Sequence, residues 1–337
     1  MARVGLMGFG RIGRNVFRLL QAADGVEIAA IADTAEPEAL AYLLKYDSIY
    51  GRFPKPVELD GTNLVVDGKS IPFVAGTEPG DIDWAAVDVD IVIQATGKYR
   101  TADWCARHIA AGAKRVILAS TPETPGDVPI LLRGINDEIL TPDLDVVSLG
   151  SNSSNALAPV LRMIDNAWGL DRAYFTTVHA FTNMARLADV PTSSFRNSRA
   201  AGENIIPAET NSPEIITTVM PEFAGKLSAM ALNVPVPDGS TVDLVAFVRT
   251  PTTAAEVNET IRKEIQAGFA GIIEFVDDPI VSSDVIGSSQ SGNFDSLATL
   301  VVDETMIKAI IWFDNGWGYS VRIVEVLTTM IEQMENA

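Results

Sequence analysis

Three glycines near the start of the chain have the spacing of a phosphate-binding turn. Gly8, Gly10 and Gly13 form the pattern G-x-G-x-x-G between a predicted strand at residues 4–8 and a predicted helix at residues 12–22. Glycine allows a tight turn and a close approach of backbone to ligand, and the free N–H groups that begin a helix bind a pyrophosphate. The pattern predicts a dinucleotide site; the alternative is a glycine turn that serves helix–strand packing alone.

Asp33 favours the dinucleotide interpretation. It closes the second predicted strand, residues 26–32, and lies twenty residues beyond Gly13. A carboxylate at this place accepts hydrogen bonds from the ribose hydroxyls and repels a 2′-phosphate. We therefore expect the cofactor to be NAD rather than NADP.

The elements that must position these residues indicate an α/β protein. Up to residue 150, short apolar runs such as 90–95 and 115–119 alternate with helical patterns, which is typical of a Rossmann-type doubly wound parallel sheet. Beyond residue 170, strand-like runs such as 228–236 and 241–249 are longer and predict an α+β domain with a mixed or antiparallel sheet.

The predicted boundaries follow from this change of pattern. We expect a dinucleotide-binding domain at residues 1–150, a second domain at 151–318, and a C-terminal helix at 319–337 that returns to the first domain. The polar segment 182–204 has no regular pattern, and a loop of this length is usually functional or an interface.

Composition excludes several classes of partner. The 337 residues carry 44 acidic and 25 basic side chains, a net charge of −19, which disfavours binding to nucleic acid or to an anionic membrane. Cys105 is the only cysteine, so no intrachain disulfide or multi-cysteine metal site can form, and we predict no metal. We find neither a signal-peptide pattern nor a run of about 20 apolar residues, so we expect a cytoplasmic protein.

A series of motifs along nearly the whole chain resembles the phosphorylating glyceraldehyde-3-phosphate dehydrogenases. The matching blocks are G-F-G-R-I-G-R at 8–14, Y-D-S at 46–48, A-T-G at 95–97, G-A-K-R-V-I at 112–117, T-T-V-H-A at 176–180, N-I-I-P at 204–207 and W-F-D-N-G-W-G-Y-S at 312–320. This resemblance implies the two-domain fold of that family.

The resemblance also implies roles for single residues at the cofactor. It places Arg11 and Ile12 at the pyrophosphate, and Asn315 at the nicotinamide amide. The adenosine and ribose side would be lined by Thr96, Gly97 and Ser120. The family is usually a homotetramer in which the long loop, here 182–204, reaches a neighbouring subunit's cofactor site.

The chain departs from the family at the active-site segment. The family pattern S-N-A-S-C-T-T-N-x-L-A-P is replaced by S-N-S-S-N-A-L-A-P at 151–159, and the simplest alignment deletes C-T-T between Ser154 and Asn155. The deletion removes the nucleophile, an oxyanion-binding N–H and a phosphate-binding threonine, and it requires the following helix to start differently. Ser154 could fill the space, but a hydroxyl is much harder to ionise than a thiol at neutral pH. Cys105 lies in a predicted helix of the first domain and cannot substitute.

The expected phosphate ligands have changed as well. Asn233 stands where the family has an arginine, and Glu214 where it has a lysine, so only Thr182 and Thr210 remain. These changes predict a small-molecule substrate without a terminal phosphate.

The two histidines receive different expectations. His179 corresponds to the family's base, and without a thiol it would act as a general acid or base toward a hydroxyl or carbonyl; the alternative is a leftover histidine held by packing. His108 lies on a predicted helix of the first domain and is expected at the surface.

Three functional hypotheses remain open. The first is an NAD-dependent oxidoreductase that transfers a hydride without a covalent thiol intermediate. The second is a catalytically inactive NAD-binding protein with a scaffolding or regulatory role. The third is oxidation of glyceraldehyde 3-phosphate itself through Ser154.

Overall fold

The computed structural model describes residues 1–182 and 185–336, which form two compact units. Unit 1 comprises Met1–Leu131, Asp137–Gly150 and Ser320–Ala337. Unit 2 comprises Leu132–Asn136 and Ser151–Tyr319.

The first 150 residues fold into strands that alternate with helices. The elements in chain order are β1 (Ala2–Met7), α1 (Arg11–Leu20), β2 (Val26–Ala32), α2 (Pro37–Lys45), β3 (Tyr46–Asp47), β4 (Gly51–Arg52), β5 (Val57–Asp60), β6 (Asn63–Val66), β7 (Lys69–Val74), β8 (Ile91–Gln94), α3 (Ala102–Ala110), β9 (Arg115–Leu118) and β10 (Val146–Ser148).

The main sheet of unit 1 has the doubly wound topology that the sequence predicts. Its strand order is β10-β9-β8-β1-β2-β7-β6-β5, and the pairs from β10 to β7 are parallel. Only β7–β6 and β6–β5 are antiparallel. The chain leaves β1 first on one side and later, through β8, on the other, so the topological switch point lies between β1 and β8. Ligands of such sheets bind beyond the carboxyl ends of the strands at this point.

Unit 2 is built around a second, mixed sheet. Its elements are α4 (Asn152–Trp168), β11 (Leu170–Ala180), β12 (Ile206–Ala208), α5 (Ser212–Val219), β13 (Leu227–Val234), β14 (Ser240–Val248), α6 (Ala254–Glu264), β15 (Ile273–Val276), β16 (Gly292–Asp295), β17 (Leu300–Val302) and β18 (Met306–Phe313). The strand order is β12-β13-β11-β14-β18-β16-β15, with β17 beside β18. The pairs β11–β13 and β15–β16 are parallel and the others antiparallel, so the prediction of an α+β unit with a mixed sheet is confirmed.

The last helix, α7 (Trp317–Glu335), supplies the C-terminal segment of unit 1. Gln333 ties it to that unit, because its Oε1 accepts a hydrogen bond from Arg115 at 2.9 Å and its Nε2 donates to the carbonyl of Leu140 at 2.5 Å. Ile323, Val326 and other apolar side chains of α7 are fully buried.

The loop that follows β11 contains no helix or strand over residues 185–204. It is held locally, since Arg199 donates to Asp189 at 3.1 Å and the hydroxyls of Thr192 and Ser198 lie 3.0 Å apart. Two large apolar side chains stay in solvent: Leu187 is 88% exposed and Phe195 is 90% exposed. Asn183 and Met184 lie outside the described residues.

The expectation of a surface position for His108 is wrong. The side chain is fully buried in unit 1, where Trp84 Nε1 donates to its Nδ1 at 2.9 Å and its Nε2 lies 3.3 Å from Oε1 of Gln94. An indole N–H only donates, so Nδ1 is the acceptor and the ring proton is on Nε2. The amide nitrogen of Gln94 in turn donates to the hydroxyl of Thr96 at 3.1 Å. A neutral histidine thus links the core of unit 1 to the loop after β8.

This buried histidine generates a prediction about acid stability. Burial lowers the pKa of His108 from 6.5 to about 4. The unfolded chain therefore binds the proton first as the pH falls, and folding stability is lost between about pH 6.5 and pH 4, by up to roughly 3 kcal/mol from this group. In His108→Gln we expect lower stability at neutral pH but a flatter decline through that window, measured as the urea midpoint against pH. If the urea midpoints of wild type and His108→Gln fell in parallel with pH, His108 would not be the group that lowers stability in acid.

Candidate active site

A cavity of about 210 Å³ lies at the carboxyl ends of the central strands of unit 1. Residues that follow β1, β2, β7 and β8 line it: Met7, Gly8, Gly10, Ala32, Asp33, Thr34, Gly76, Thr77, Ala95, Thr96, Lys98 and Tyr99. The cavity thus opens where a doubly wound sheet binds its ligand, beside the switch point. It brings together four of the predicted cofactor residues, Gly8, Gly10, Asp33 and Thr96.

The glycine turn has the geometry that a dinucleotide requires. Gly8 has φ +97°, and a Cβ there would lie 2.7 Å from the backbone of Ala95 and Thr96. A Cβ on Gly13 would lie 2.1 Å from the carbonyl oxygen of Gly8, whereas the space in front of Gly10 is open. Helix α1 starts directly after Gly10 with no side-chain cap. The turn thus leaves room for a phosphate at the positive end of the helix, and these residues fit the cofactor.

Asp33 binds the backbone of the same glycine turn through its carboxylate. Its Oδ2 accepts a hydrogen bond from the backbone N–H of Phe9 at 2.7 Å, and its Oδ1 accepts from that of Ala35 at 3.0 Å. Each carboxylate oxygen has a second lone pair, so Asp33 can shape the glycine turn and still accept a hydroxyl. The hydrogen bond to a ribose hydroxyl stays a prediction, and the contact with the glycine turn is one that the sequence did not indicate.

The other predicted cofactor residues lie around this cavity without lining it. Arg11 and Ile12 occupy the first turn of α1 and are half-buried. Gly97 is exposed with φ +69°, and Ser120 follows β9 with its buried hydroxyl unpaired among the described atoms. Sequence reasoning missed Tyr99, which lines the cavity at φ +56° and packs on Trp104 with ring centroids 4.7 Å apart.

Unit 2 contains a second and larger cavity of about 620 Å³. Its polar lining comes from the start of α4, from β11, from β13 and from the segment between β12 and α5: Ser151, Asn152, Ser153, Thr177, His179, Thr182, Glu209, Thr210, Asn211, Glu214 and Asn233. The structure therefore brings together His179, Thr182, Thr210 and Asn233 as the sequence predicts. Ser154 and Asn315 are not among the lining residues.

His179 stands near the end of β11 with a defined proton. Its Nδ1 lies 2.6 Å from the carbonyl oxygen of Ala180. A carbonyl only accepts, so this contact places the proton on Nδ1 and leaves Nε2 as the acceptor. The ring packs edge-on against Phe313 at 6.2 Å. The contact with Ala180 thus orients the imidazole ring of His179.

Asn315 lies beside this histidine. Its Nδ2 is 3.2 Å from Nδ1 and 3.4 Å from Nε2 of His179, while its Oδ1 accepts from the hydroxyl of Ser240 at 2.8 Å. Its backbone N–H donates to Asp238 at 3.0 Å, and the residue is only 7% exposed. Because Nδ1 donates to Ala180, the amide N–H of Asn315 can donate only to Nε2, a contact that the expected role at the nicotinamide did not include.

The segment that departs from the family forms the start of α4. Ser151 is the N-cap and its hydroxyl accepts from the N–H of Ser154 at 3.2 Å. The hydroxyl of Ser154 is fully buried, 2.7 Å from that of Ser151, and so it is engaged within the helix start. A second hydroxyl contact joins Ser153 to Ser212 at 2.8 Å, and Ser212 reaches Thr210 at 3.0 Å. Hydroxyls therefore occupy this side of the cavity.

The charges at the cavity are acidic. Glu209 follows β12 and Glu214 lies in the first turn of α5, and no lysine or arginine is among the described lining residues. Asn233 stands beside His179 in the β11–β13 register. Cys105 is fully buried in α3 of unit 1.

Thr177 is a lining residue that sequence reasoning missed. It lies two residues before His179, on the same face of β11, and is 1% exposed. Its hydroxyl has no hydrogen-bond partner in the described part of the chain. Side chains two residues apart in a strand lie on the same face, so the predicted site at His179 could have indicated Thr177 as well.

Two kinds of feature, a membrane-spanning helix and a cluster of metal ligands, are absent from the described residues. None of their helices is long and apolar enough to cross a membrane. They contain no group of three or more His, Cys, Asp or Glu side chains that could hold a metal ion.

Comparison with known proteins agrees with the motifs and the fold. The family model "Glyceraldehyde 3-phosphate dehydrogenase, NAD binding domain" matches residues 2–102, and the C-terminal domain model of the same family matches residues 151–315. The chain is 40% identical over 325 residues to the glyceraldehyde-3-phosphate dehydrogenase of Geobacillus stearothermophilus, with 96% of each chain covered. It is 42% identical over 329 residues to that of Kitasatospora aureofaciens, with 97% of this chain and 98% of the relative covered. The resemblance is confirmed: the chain belongs to the glyceraldehyde-3-phosphate dehydrogenase family and has its NAD-binding domain.

Proposed function

We propose that this protein is an NAD-dependent oxidoreductase that transfers a hydride without a covalent thiol intermediate, on a small substrate that carries no phosphate. The observation that carries the proposal is the cavity of unit 2, where His179 has a defined tautomer and no cysteine is among the described lining residues. A base that is ready beside a cavity serves proton transfer to or from a hydroxyl or carbonyl.

The proposed reaction interconverts an alcohol and a carbonyl compound. Bound NAD supplies the hydride acceptor in its oxidised form and the hydride donor in its reduced form. In the oxidation, the substrate carbon loses a hydride, His179 Nε2 takes the hydroxyl proton, and the carbonyl bond forms. In the reduction, the same nitrogen returns the proton to the new alkoxide oxygen. The carbonyl of Ala180 holds the ring through Nδ1.

Two features support the absence of thiol chemistry. Burial, with Asp127 adding to it, raises the pKa of the Cys105 thiol to about 12, so this side chain is not a thiolate at neutral pH. Ser154, the residue nearest to the deleted C-T-T, has its hydroxyl committed to Ser151. A covalent pathway, through an acyl-thioester on Cys105 or an acyl ester on Ser154, is therefore disfavoured.

The proposed loss of phosphate recognition is supported by the lining charges. Glu214 and Glu209 place two carboxylates at the cavity, and Asn233 offers an amide where the family resemblance expects a guanidinium. A phosphorylated substrate would meet like charge there, which costs binding free energy. Thr182 and Thr210 supply hydroxyls, which bind neutral groups equally well.

Removing the base tests the catalytic proposal. In His179→Asn we expect the rate of NADH-dependent carbonyl reduction to fall by about 10²- to 10⁴-fold, because proton transfer in the transition state is lost. NADH affinity should change little, since His179 is not one of its predicted ligands and all of these except Asn315 lie in unit 1. The measurement is NADH absorbance across a panel of carbonyl substrates, with calorimetric titration of NADH alongside.

Tyr174→Phe is the matched control, because Tyr174 lies on the same strand with its side chain 44% exposed, on the face opposite His179. Equal rates in wild type and His179→Asn would contradict the role of the histidine. Tight NADH binding with no turnover of any panel member by the wild type would instead support the inactive NAD-binding alternative.

Thiol chemistry can be tested directly with an alkylating reagent. We expect iodoacetamide at pH 8 to leave turnover and NADH binding unchanged, because Cys105 is buried and largely protonated at that pH. Mass spectrometry should show no adduct on the native protein and one adduct after unfolding. Inactivation that parallels alkylation, and that Cys105→Ala prevents, would overturn the thiol-free proposal.

We also propose that copies of the chain assemble into a homotetramer through the loop after β11. The support is the pair of apolar side chains, Leu187 and Phe195, that this loop leaves in solvent. Isolated exposed apolar residues are normal, but two large ones near full exposure in one ordered loop indicate a covered surface.

The assembly proposal predicts the effect of polar substitutions in the loop. Leu187→Ser with Phe195→Ser should shift the mass measured by light scattering from the tetramer to smaller species, since apolar area would no longer be buried. The unfolding midpoint of the separated chain should change little, because neither side chain is part of its core. Leu297→Ser, at a side chain that is 60% exposed outside the loop, is the control. A tetramer unaffected by the double substitution would refute the loop as the interface.

A further inference from the structure

The cavity of unit 2 carries a charge that nothing in the proposed hydride transfer uses. Glu209 and Glu214 line it from two neighbouring segments, one after β12 and one in the first turn of α5. The described lining residues include no lysine or arginine, and the two undescribed residues next to Thr182, Asn183 and Met184, are uncharged types. The described lining thus carries two carboxylates and neither a lysine nor an arginine to balance them.

A second and independent feature of this cavity is an unsatisfied hydroxyl. Thr177 is 1% exposed, lines the cavity and has no hydrogen-bond partner for its Oγ1 among the described atoms. Buried polar atoms without a partner are rare, because such a group gives up its bonds to water without replacement. A ligand in the cavity would supply the missing partner.

The remaining lining groups are neutral and can both donate and accept. Hydroxyls from Ser153 and Thr210 and amides from Asn152 and Asn233 surround the space between the carboxylates and His179. Such groups bind hydroxyls and carbonyls, but they do not compensate a phosphate or carboxylate. The chemistry of the lining thus matches a substrate that combines hydroxyl groups with a positive charge.

We propose that this cavity selects a small hydroxylated substrate that carries an ammonium group, so that the reaction interconverts an amino alcohol and the corresponding amino carbonyl compound. Glu209 and Glu214 attract the ammonium group, and Thr177 bonds to an oxygen of the substrate. The ammonium group itself is unchanged by the reaction: the carbinol carbon loses a hydride and its hydroxyl loses a proton. This inference rests on the proposed function, whose site it shares, and adds the class of substrate.

The test is a binding measurement that does not depend on turnover. Serinol, glycerol and glycerate share a three-carbon skeleton and are cationic, neutral and anionic at neutral pH. We expect calorimetric or NMR titration of the NAD-loaded protein to rank them serinol, glycerol, glycerate in decreasing affinity. Because surface charges are screened by salt, the advantage of serinol over glycerol should shrink when the ionic strength is raised.

Removing the carboxylates provides the decisive comparison. In the double variant Glu209→Gln with Glu214→Gln, serinol should bind about tenfold more weakly while glycerol affinity stays constant, since only the Coulomb attraction is lost. The control is Glu203→Gln with Glu259→Gln, which changes the net charge equally at two residues that are exposed, as Glu209 and Glu214 are, but that are not in the lining. A loss of serinol affinity equal to that of the control would overturn the proposal.

Thr177→Val tests the hydroxyl with a side chain of the same shape. Serinol and glycerol should both bind several-fold more weakly, and the thermal midpoint of the free protein should be equal or higher, because an unpaired buried hydroxyl has been removed. A lower midpoint with unchanged binding would show a purely structural hydroxyl and contradict its role.

The outcomes also separate this inference from the proposed function. Serinol preference without turnover of any amino alcohol would support the cationic site and count against hydride transfer. His179-dependent turnover of neutral or anionic substrates, with glycerate or glycerol bound at least as tightly as serinol, would uphold hydride transfer and refute the cationic site. Failure of all three compounds to bind would likewise refute it.

Discussion

Two buried carboxylates in unit 2 determine where the candidate base stands. Asp238 is fully buried and its Oδ1 accepts from the backbone N–H of Asn315 at 3.0 Å and of Gly239 at 2.8 Å. Asp314 is 2% exposed and accepts from Gly316 at 2.7 Å and from Trp317 at 2.6 Å. Asp238 thus holds the backbone of Asn315, Asp314 holds the two residues that follow it, and the side chain of Asn315 contacts His179.

Burying the two carboxylates costs free energy of folding. The backbone N–H groups around them must therefore bind them strongly. Burial raises the pKa of Asp314, and the charge of Asp238 raises it further, against the opposing hydrogen bonds from Gly287, Trp317 and Gly316. A buried carboxylate persists only where such donors replace water. Two of these N–H groups belong to Gly316, just before α7, and Trp317, its first residue, so the start of this helix and the position of Asn315 depend on neighbouring contacts.

Much of the fold could be predicted from sequence, because apolar runs and glycine turns are local signals. The second strand was predicted at its observed bounds, Val26–Ala32, and the glycine turn has the expected conformation. Helix starts were less well predicted where a side chain sets them. The C-terminal helix was predicted from residue 319, but α7 begins at Trp317, and Asp314 accepts from the N–H groups of Gly316 and Trp317.

The candidate site was harder to predict, since it depends on partners distant in the chain. His108 has a polar residue's usual preference for the surface, and only the pairing with Trp84 and Gln94 makes its burial favourable. Ser154 looked available because it adjoins the deletion, yet the new N-cap at Ser151 engages it. Asn315 was assigned from family resemblance alone, and its contact with His179 joins residues 136 positions apart.

The separation of the two cavities explains how substrate recognition could change while the cofactor stayed the same. Gly8, Asp33 and Thr96 are positioned entirely by contacts within unit 1. The residues that would recognise the substrate, among them Glu209 and Glu214, line a cavity built within unit 2. Substitutions in groups that share no partners have nearly additive effects on free energy. Under the proposed function, substitutions in the cavity of unit 2 therefore leave the dinucleotide turn of unit 1 intact.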